Sequence, residues 1–75
     1  MLKFQVDDVW SDRCDCPYLV VEIQGGNFPV VAMDLRSGSA ILLTATGKEI
    51  NNTIDSPQDL VTYLGTKKDF PEYDL

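Results

Sequence analysis

Three short apolar runs, separated by glycine-bearing breaks, dominate the hydrophobic pattern of the chain. The runs cover residues 18–24, 28–35 and 40–46. They are rich in β-branched residues, which favour strands, and glycine supplies the positive φ angles that tight turns need. The pattern therefore predicts an antiparallel meander that forms a sheet core over residues 18–46.

A helix-start signal follows the meander. Ser56 can cap a helix, Pro57 suits a first turn, and Asp59 places a carboxylate near the positive end of the helix dipole. Apolar residues then recur at helical spacing as far as Gly65, a residue type that commonly follows the last helical turn. We expect a short helix over about residues 57–64, packed on one face of the sheet.

The remaining segments complete the predicted architecture. Residues 2–6 alternate apolar and polar side chains, which indicates a further strand. Residues 7–17 contain four aspartates, a tryptophan and a proline, which indicate an acidic loop, and residues 66–75 have no period and indicate a flexible tail. The 75 residues are predicted to form a single domain of the α+β class, with an antiparallel sheet of four to five strands and one short C-terminal helix.

Charge narrows the classes of partner. The chain has twelve acidic residues, six basic residues and no histidine, so its formal net charge is −6. Nucleic acids and anionic membranes repel such a protein, and no apolar run approaches the roughly 18 residues of a membrane span. We expect a protein partner, with a basic surface, and neither a membrane nor direct contact with nucleic acid.

The two cysteines give little support to a metal or redox role. The first residues lack the apolar core of a signal peptide, so a cytoplasmic location with reduced thiols is expected. One residue separates Cys14 from Cys16, whereas zinc pairs have about two to four and the familiar redox motif has about two. A metal site at these thiols is the weakest of the candidates, and no cofactor is expected.

Asp7, Asp8, Asp12 and Asp15, with Trp10 among them, form the first candidate site for partner binding. Their spacing does not fit a calcium-binding EF-hand loop. An exposed tryptophan beside acidic residues is typical of a protein contact. Two interpretations of the tryptophan stay open: it anchors a basic partner, or it folds back and caps one end of the small core.

The second candidate site is a face of the sheet. Both sides of the second and third runs are apolar, which is typical of a sheet that is covered on both faces. One short helix covers one face. Two possibilities stay open for the other: the acidic loop and the tail cover it, or a homodimer or a partner buries it. The candidate set for that face is Val31, Met33, Ile41 and Leu43, and the alternative set is Phe28, Val30, Ala32 and Leu42.

These observations favour binding over catalysis. Without histidine, a serine or threonine nucleophile lacks the commonest general base, so no enzyme is expected. The expected function is a non-catalytic protein–protein interaction module, an inhibitor or adaptor that docks on a basic, nucleic-acid-binding surface of another protein. In size and charge alone, the chain resembles small acidic proteins of phages and mobile elements that inhibit host machinery. The alternative is a dimeric structural or accessory subunit.

Overall fold

A five-stranded antiparallel sheet makes up most of the computed structural model, which describes residues 3–51 and 53–73. The strands are β1 (Asp8–Ser11), β2 (Pro17–Ile23), β3 (Val30–Asp34), β4 (Ala40–Leu43) and β5 (Thr62–Thr66). Their order across the sheet is β4-β3-β2-β1-β5, so β4 and β5 are its two edges. The predicted antiparallel sheet is confirmed.

The turns of the predicted meander depend on glycine. Gly26 lies in the turn between β2 and β3 with φ 95°, and Gly38 lies in the turn between β3 and β4 with φ 79°. Side chains disfavour this left-handed region, so glycine suits both positions. In the second turn, the N–H of Gly38 donates to the carbonyl of Asp34 at 2.8 Å.

The α+β class is wrong, because the described residues contain no α-helix. The range 57–64, predicted to be helical, contains a turn and the first residues of β5. Two short 3₁₀ turns, Lys67–Asp69 and Pro71–Tyr73, follow β5 in the range predicted to be a tail. No helix of the described chain is long and apolar enough to cross a membrane.

The helix-start signal does form its local geometry, but only for one turn. The N–H of Gln58 donates to Oγ of Ser56 at 3.3 Å, and the N–H of Ser56 donates to Oδ2 of Asp59 at 2.8 Å. The N–H of Val61 then donates to the carbonyl of Ser11 at 2.9 Å, which aligns the following residues beside β1. Pairing with β1 thus replaces the second helical turn, and the β-branched and aromatic residues of β5 favour this outcome.

Strand β1 lies within the range predicted to be an acidic loop. All four of its residues are buried, and Trp10 lies opposite Tyr18 of β2 and Tyr63 of β5. The sequence pattern did not indicate this strand, because the aspartates on both sides of it are typical of loops. The predicted N-terminal strand is wrong over residues 3–6, which lie outside the sheet, and Leu2 lies outside the described residues.

One face of the sheet, which we call the inner face, carries the core. The core residues are Phe4, Trp10, Tyr18, Val20, Val30, Ala32, Leu43 and Leu60. Phe4 and Leu60 come from segments outside the sheet, and the ring centroid of Phe4 is 4.5 Å from that of Trp10. Gly47 lies against Phe4 so closely that a Cβ atom there would be 2.6 Å from Cζ of the ring.

A fully buried carboxylate, that of Asp59, organises the irregular segment between β4 and β5. It accepts hydrogen bonds from the backbone N–H groups of Glu49 and Ser56, each at 2.8 Å. Nη2 of Arg13 and Nζ of Lys48 each lie 3.3 Å from its Oδ2 atom. Burial alone would raise the pKa of Asp59, but these donors outweigh burial and lower the pKa below its ordinary value.

Candidate interaction surface

The cross-strand register assigns the apolar residues of β3 and β4 to the two faces of the sheet. Residues directly opposite each other in an antiparallel pair share a face. The inner-face pairs are Val30–Leu43 and Ala32–Ile41. The pairs on the other side, which we call the outer face, are Val31–Leu42 and Met33–Ala40.

This register divides the set that the sequence predicted for one face. Val31 and Met33 lie on the outer face, whereas Ile41 and Leu43 lie on the inner face. The alternative set is divided as well: Val30 and Ala32 lie inside, Leu42 lies outside, and Phe28 precedes β3. Alternation within each run was correct, but a one-residue difference in register between two strands moves every side chain to the opposite face.

A β-bulge in β2 adds two residues to the outer face. Val20 lies opposite Ala32 and Glu22 lies opposite Val31, so Val21 is the extra residue. In a bulge two residues oppose one, so Val21 and Glu22 both lie beside Val31. Glu22 is exposed and forms no ion pair with any described residue.

We define the outer strip as the accessible apolar residues of this face: Val21, Val31, Met33, Ala40 and Leu42. Leu42 is 50% exposed and Val21 is 40% exposed. Val9 and Leu19 belong to the same outer face but are buried, so the strip is the part of that face nearest to the β4 edge. Contiguous apolar residues that stay accessible commonly mark a protein contact.

Asp8 and Trp10, two members of the predicted acidic site, are internal. Trp10 is only 8% exposed and belongs to the core. Its indole N–H donates to Oδ2 of Asp8 at 3.3 Å, and the backbone N–H of Gln5 donates to the same atom at 2.9 Å. Of the two interpretations of Trp10, the structure agrees with the second, in which the side chain folds back onto the core.

The other three aspartates of that site lie in different environments. Asp12 is buried, and its Oδ1 atom accepts hydrogen bonds from the N–H groups of Cys14 and Cys16 at 2.8 and 2.9 Å. Asp7 lies 3.6 Å from Nζ of Lys67, and Asp15 is exposed. The structure therefore does not bring the five residues together on one surface, and a binding role for Asp7 and Asp15 stays a prediction.

The two cysteines are free thiols. Cys14 is exposed and Cys16 is half-buried. Burial raises the pKa of the Cys16 thiol, and the nearby carboxylate of Asp12 raises it further. A raised pKa disfavours the nucleophilic thiolate. Within residues 3–51 and 53–73, no three His, Cys, Asp or Glu side chains are grouped so that they could hold a metal ion.

A cleft of about 370 Å³ lies where the β2–β3 turn approaches the end of β4. Its lining residues are Asn27, Phe28, Thr44, Ile50 and Asn51. None of these side chains titrates near neutral pH. Oγ1 of Thr44 already lies 3.2 Å from Oγ1 of Thr46 and accepts the N–H of Lys48. The cleft offers amide and apolar contacts but no acid, base or activated nucleophile.

Comparison of the chain with protein-family models, with curated proteins and with solved structures finds no match.

Sequence reasoning missed three residues of this surface: Val21, Glu22 and Ala40. Glu22 was missed because a bulge in β2 has no distinct sequence pattern. Val21 was missed because the predicted face was drawn from the second and third runs alone. Ala40 could have been found by counting outward from the turn at Gly38, because Asp34 pairs with Ser39 and the register follows from that pair. Leu42 was predicted, but only in the alternative set, together with the inner-face residues Val30 and Ala32.

Proposed function

We propose that this protein is a non-catalytic protein–protein interaction module whose contact surface is the outer strip. The observation that carries the proposal is the exposure of Leu42 and Val21 on the outer face of the sheet, beside the half-buried Val31 and Met33. Full burial of one such side chain contributes about 1.5–3 kcal/mol. A partner that covers the strip recovers part of that free energy.

Charge supports a basic partner. The net charge of −6 attracts cationic proteins over distances near the Debye length, about 8 Å at physiological salt. Glu22 lies beside the outer strip and forms no ion pair among the described residues. A partner surface with an apolar centre and a lysine or arginine at its rim fits this arrangement. If that basic surface also binds nucleic acid, docking competes with nucleic acid and the module acts as an inhibitor.

The chemistry of the chain supports binding rather than catalysis. The sequence lacks histidine, the pKa of Cys16 is raised, and the lining of the cleft holds no titratable side chain. We place the module in the cytoplasm, where Cys14 and Cys16 remain reduced thiols.

Affinity capture with a matched pair of variants tests the proposal. The bait is the full chain, in an extract of the organism that encodes it, as wild type, Val21→Lys or Val61→Lys. The two valines are similarly exposed, at 40% and 42%, and the two substitutions change the net charge by the same amount. They differ in position, because Val61 directly precedes β5, at the edge of the sheet opposite to β4. We expect the wild type and Val61→Lys to retain the same partner, and Val21→Lys to lose it.

A second pair of variants tests the charge at the rim. Binding of the purified partner is measured at low and high salt with Glu22→Lys and with Glu72→Lys, since both glutamates are exposed. We expect Glu22→Lys to weaken binding at least about tenfold, the equivalent of about 1.4 kcal/mol, and Glu72→Lys to change it less. A partner that binds Val21→Lys and Glu22→Lys as tightly as the wild type contradicts the proposal.

A further inference from the structure

The free edge of β4 presents backbone groups that face away from the sheet. The N–H of Asp34 donates to the carbonyl of Ser39 at 2.8 Å, which makes these two residues a hydrogen-bonded pair. Hydrogen-bonded and non-hydrogen-bonded pairs alternate along an antiparallel ladder. The N–H and C=O groups of Ile41 therefore face β3, whereas those of Ala40 and Leu42 face the open edge.

This edge is short, at four residues, but it lacks three features that usually prevent pairing with another chain. Such features are charged side chains, proline and bulges. The sequence of β4 is Ala-Ile-Leu-Leu, and its register with β3 runs without a shift. The opposite edge differs: β5 contains a bulge, because Val9 lies opposite Gly65 and Trp10 lies opposite Tyr63, which leaves Leu64 extra.

The β4 side of the sheet also carries no net charge. Residues 23–47 contain two charged residues, Asp34 and Arg36, whose Oδ1 and Nε atoms are 3.7 Å apart. The chain has twelve acidic and six basic residues, so eleven acidic and five basic residues lie outside this range. The difference between eleven and five accounts for the whole net charge of −6. Two copies that meet at β4 bring no net charge together at the contact and keep their acidic parts apart.

We propose that β4 pairs antiparallel with β4 of a second copy across a two-fold axis. The register that satisfies all the edge-facing groups pairs Ala40 with Leu42 of the second copy and places the axis at Ile41. The contact joins two five-stranded sheets into one of ten strands. An isologous contact of this kind closes at two copies and does not propagate into fibres. It also joins the two outer strips into one apolar surface.

Sedimentation equilibrium of the full chain over a range of concentrations tests the inference. We expect a species of twice the 8.4 kDa chain mass. Leu42→Pro removes an edge-facing N–H that β3 does not use, so proline is tolerated there. Loss of one hydrogen bond from each copy raises the dimer dissociation constant by about 30-fold. Leu42→Lys places a charge on the edge and should also raise the dimer dissociation constant.

The matched control is Leu64→Lys, which makes the same substitution at the opposite edge, where Leu64 is 42% exposed. It leaves the dimer intact. Circular dichroism and tryptophan fluorescence establish that each variant is folded, and if Leu42→Pro unfolds, Leu42→Lys decides. A wild type that stays monomeric at millimolar concentration overturns the inference, as does a dimer that both Leu42 variants leave unchanged. These results are independent of the partner proposed above, because no other protein is present.

Discussion

Nη2 of Arg13 lies 3.3 Å from Oδ2 of Asp59 and joins two parts of the chain that are 46 residues apart. Arg13 follows β1, and Asp59 precedes β5, so the ion pair lies where these neighbouring strands approach each other. The side chain of Arg13 is 41% exposed, whereas that of Asp59 is fully buried. A buried carboxylate that is satisfied by charged and backbone donors becomes costly to replace, because its donors lose their acceptor.

Asp59→Asn is expected to lower the free energy of unfolding by about 2–3 kcal/mol, since hydrogen bonds to a charged acceptor are lost and one amide N–H then faces a backbone donor. The control is Asp55→Asn. The Asp55 side chain is 75% exposed and contacts the same two cations, Arg13 and Lys48. Exposed ion pairs contribute little, so this control should cost much less than Asp59→Asn. Urea unfolding, monitored by tryptophan fluorescence, measures both, and equal losses would contradict a special role for the buried carboxylate.

The same carboxylate predicts how stability depends on pH. The pKa of Asp59 is lower in the folded chain than its ordinary value of about 3.9, so the folded state favours the ionised form. This contribution is complete above the ordinary value and is lost as the pH falls through the lowered pKa. Below about pH 4, the urea midpoint of the wild type should therefore decline more steeply with falling pH than the midpoint of Asp59→Asn. Parallel curves for the two proteins would show that Asp59 is not responsible.

Alanine substitutions at Gly47 and Gly38 separate the packing of the core from backbone strain. The φ of Gly47 is 88°, and a Cβ atom there would meet Cζ of Phe4 at 2.6 Å and the carbonyl oxygen of Leu60 at 2.8 Å. Gly38 has a similar φ of 79°, but no atom lies near its Cβ position. Both alanine variants carry the left-handed strain, and Gly47→Ala should cost about 1–3 kcal/mol more because it also overpacks the core. Equal thermal stabilities of the two variants would contradict this packing.

The contact between Asp8 and Trp10 predicts a spectroscopic result. Since the indole is buried, its fluorescence should be blue-shifted relative to the urea-unfolded chain and resistant to quenching by iodide. Asp8→Ala leaves the indole N–H without its acceptor and should lower the free energy of unfolding by about 1–3 kcal/mol. Asp15→Ala, at an exposed aspartate, is the control and should change it little. Strong quenching of the folded wild type would restore the exposed-anchor interpretation.

The parts of the fold that the sequence predicted depend on local chemistry. The strands of the meander follow from alternation and from glycine turns such as that at Gly38, and both are encoded within a few residues. The helix over 57–64 failed because the N–H of Val61 finds its acceptor on Ser11, a long-range contact that no local pattern reveals. Strand β1 was missed because Asp8 and Asp12, which resemble loop residues, accept hydrogen bonds inside the fold.

The sequence predicted that an apolar face of the sheet stays available for contact, but not which residues form it. Excess apolar residues on both sides of the sheet indicated a contact face. Which residues form it depends on register and on the bulge at Val21, and both arise from pairing between strands. Charge neutrality of the β4 side becomes meaningful only once the strand order places that side at an edge.

Amide hydrogen exchange along β4 measures directly whether this edge of the sheet pairs with a second copy. Residue-resolved exchange is measured by NMR on the full chain at several protein concentrations. The amides of Ile41 and Leu43, which face β3, should be protected at every concentration. Those of Ala40 and Leu42 should exchange freely in dilute solution and gain protection as the concentration rises. Exchange of Ala40 and Leu42 that stays fast at all concentrations, or that is already slow in the most dilute sample, would contradict the account.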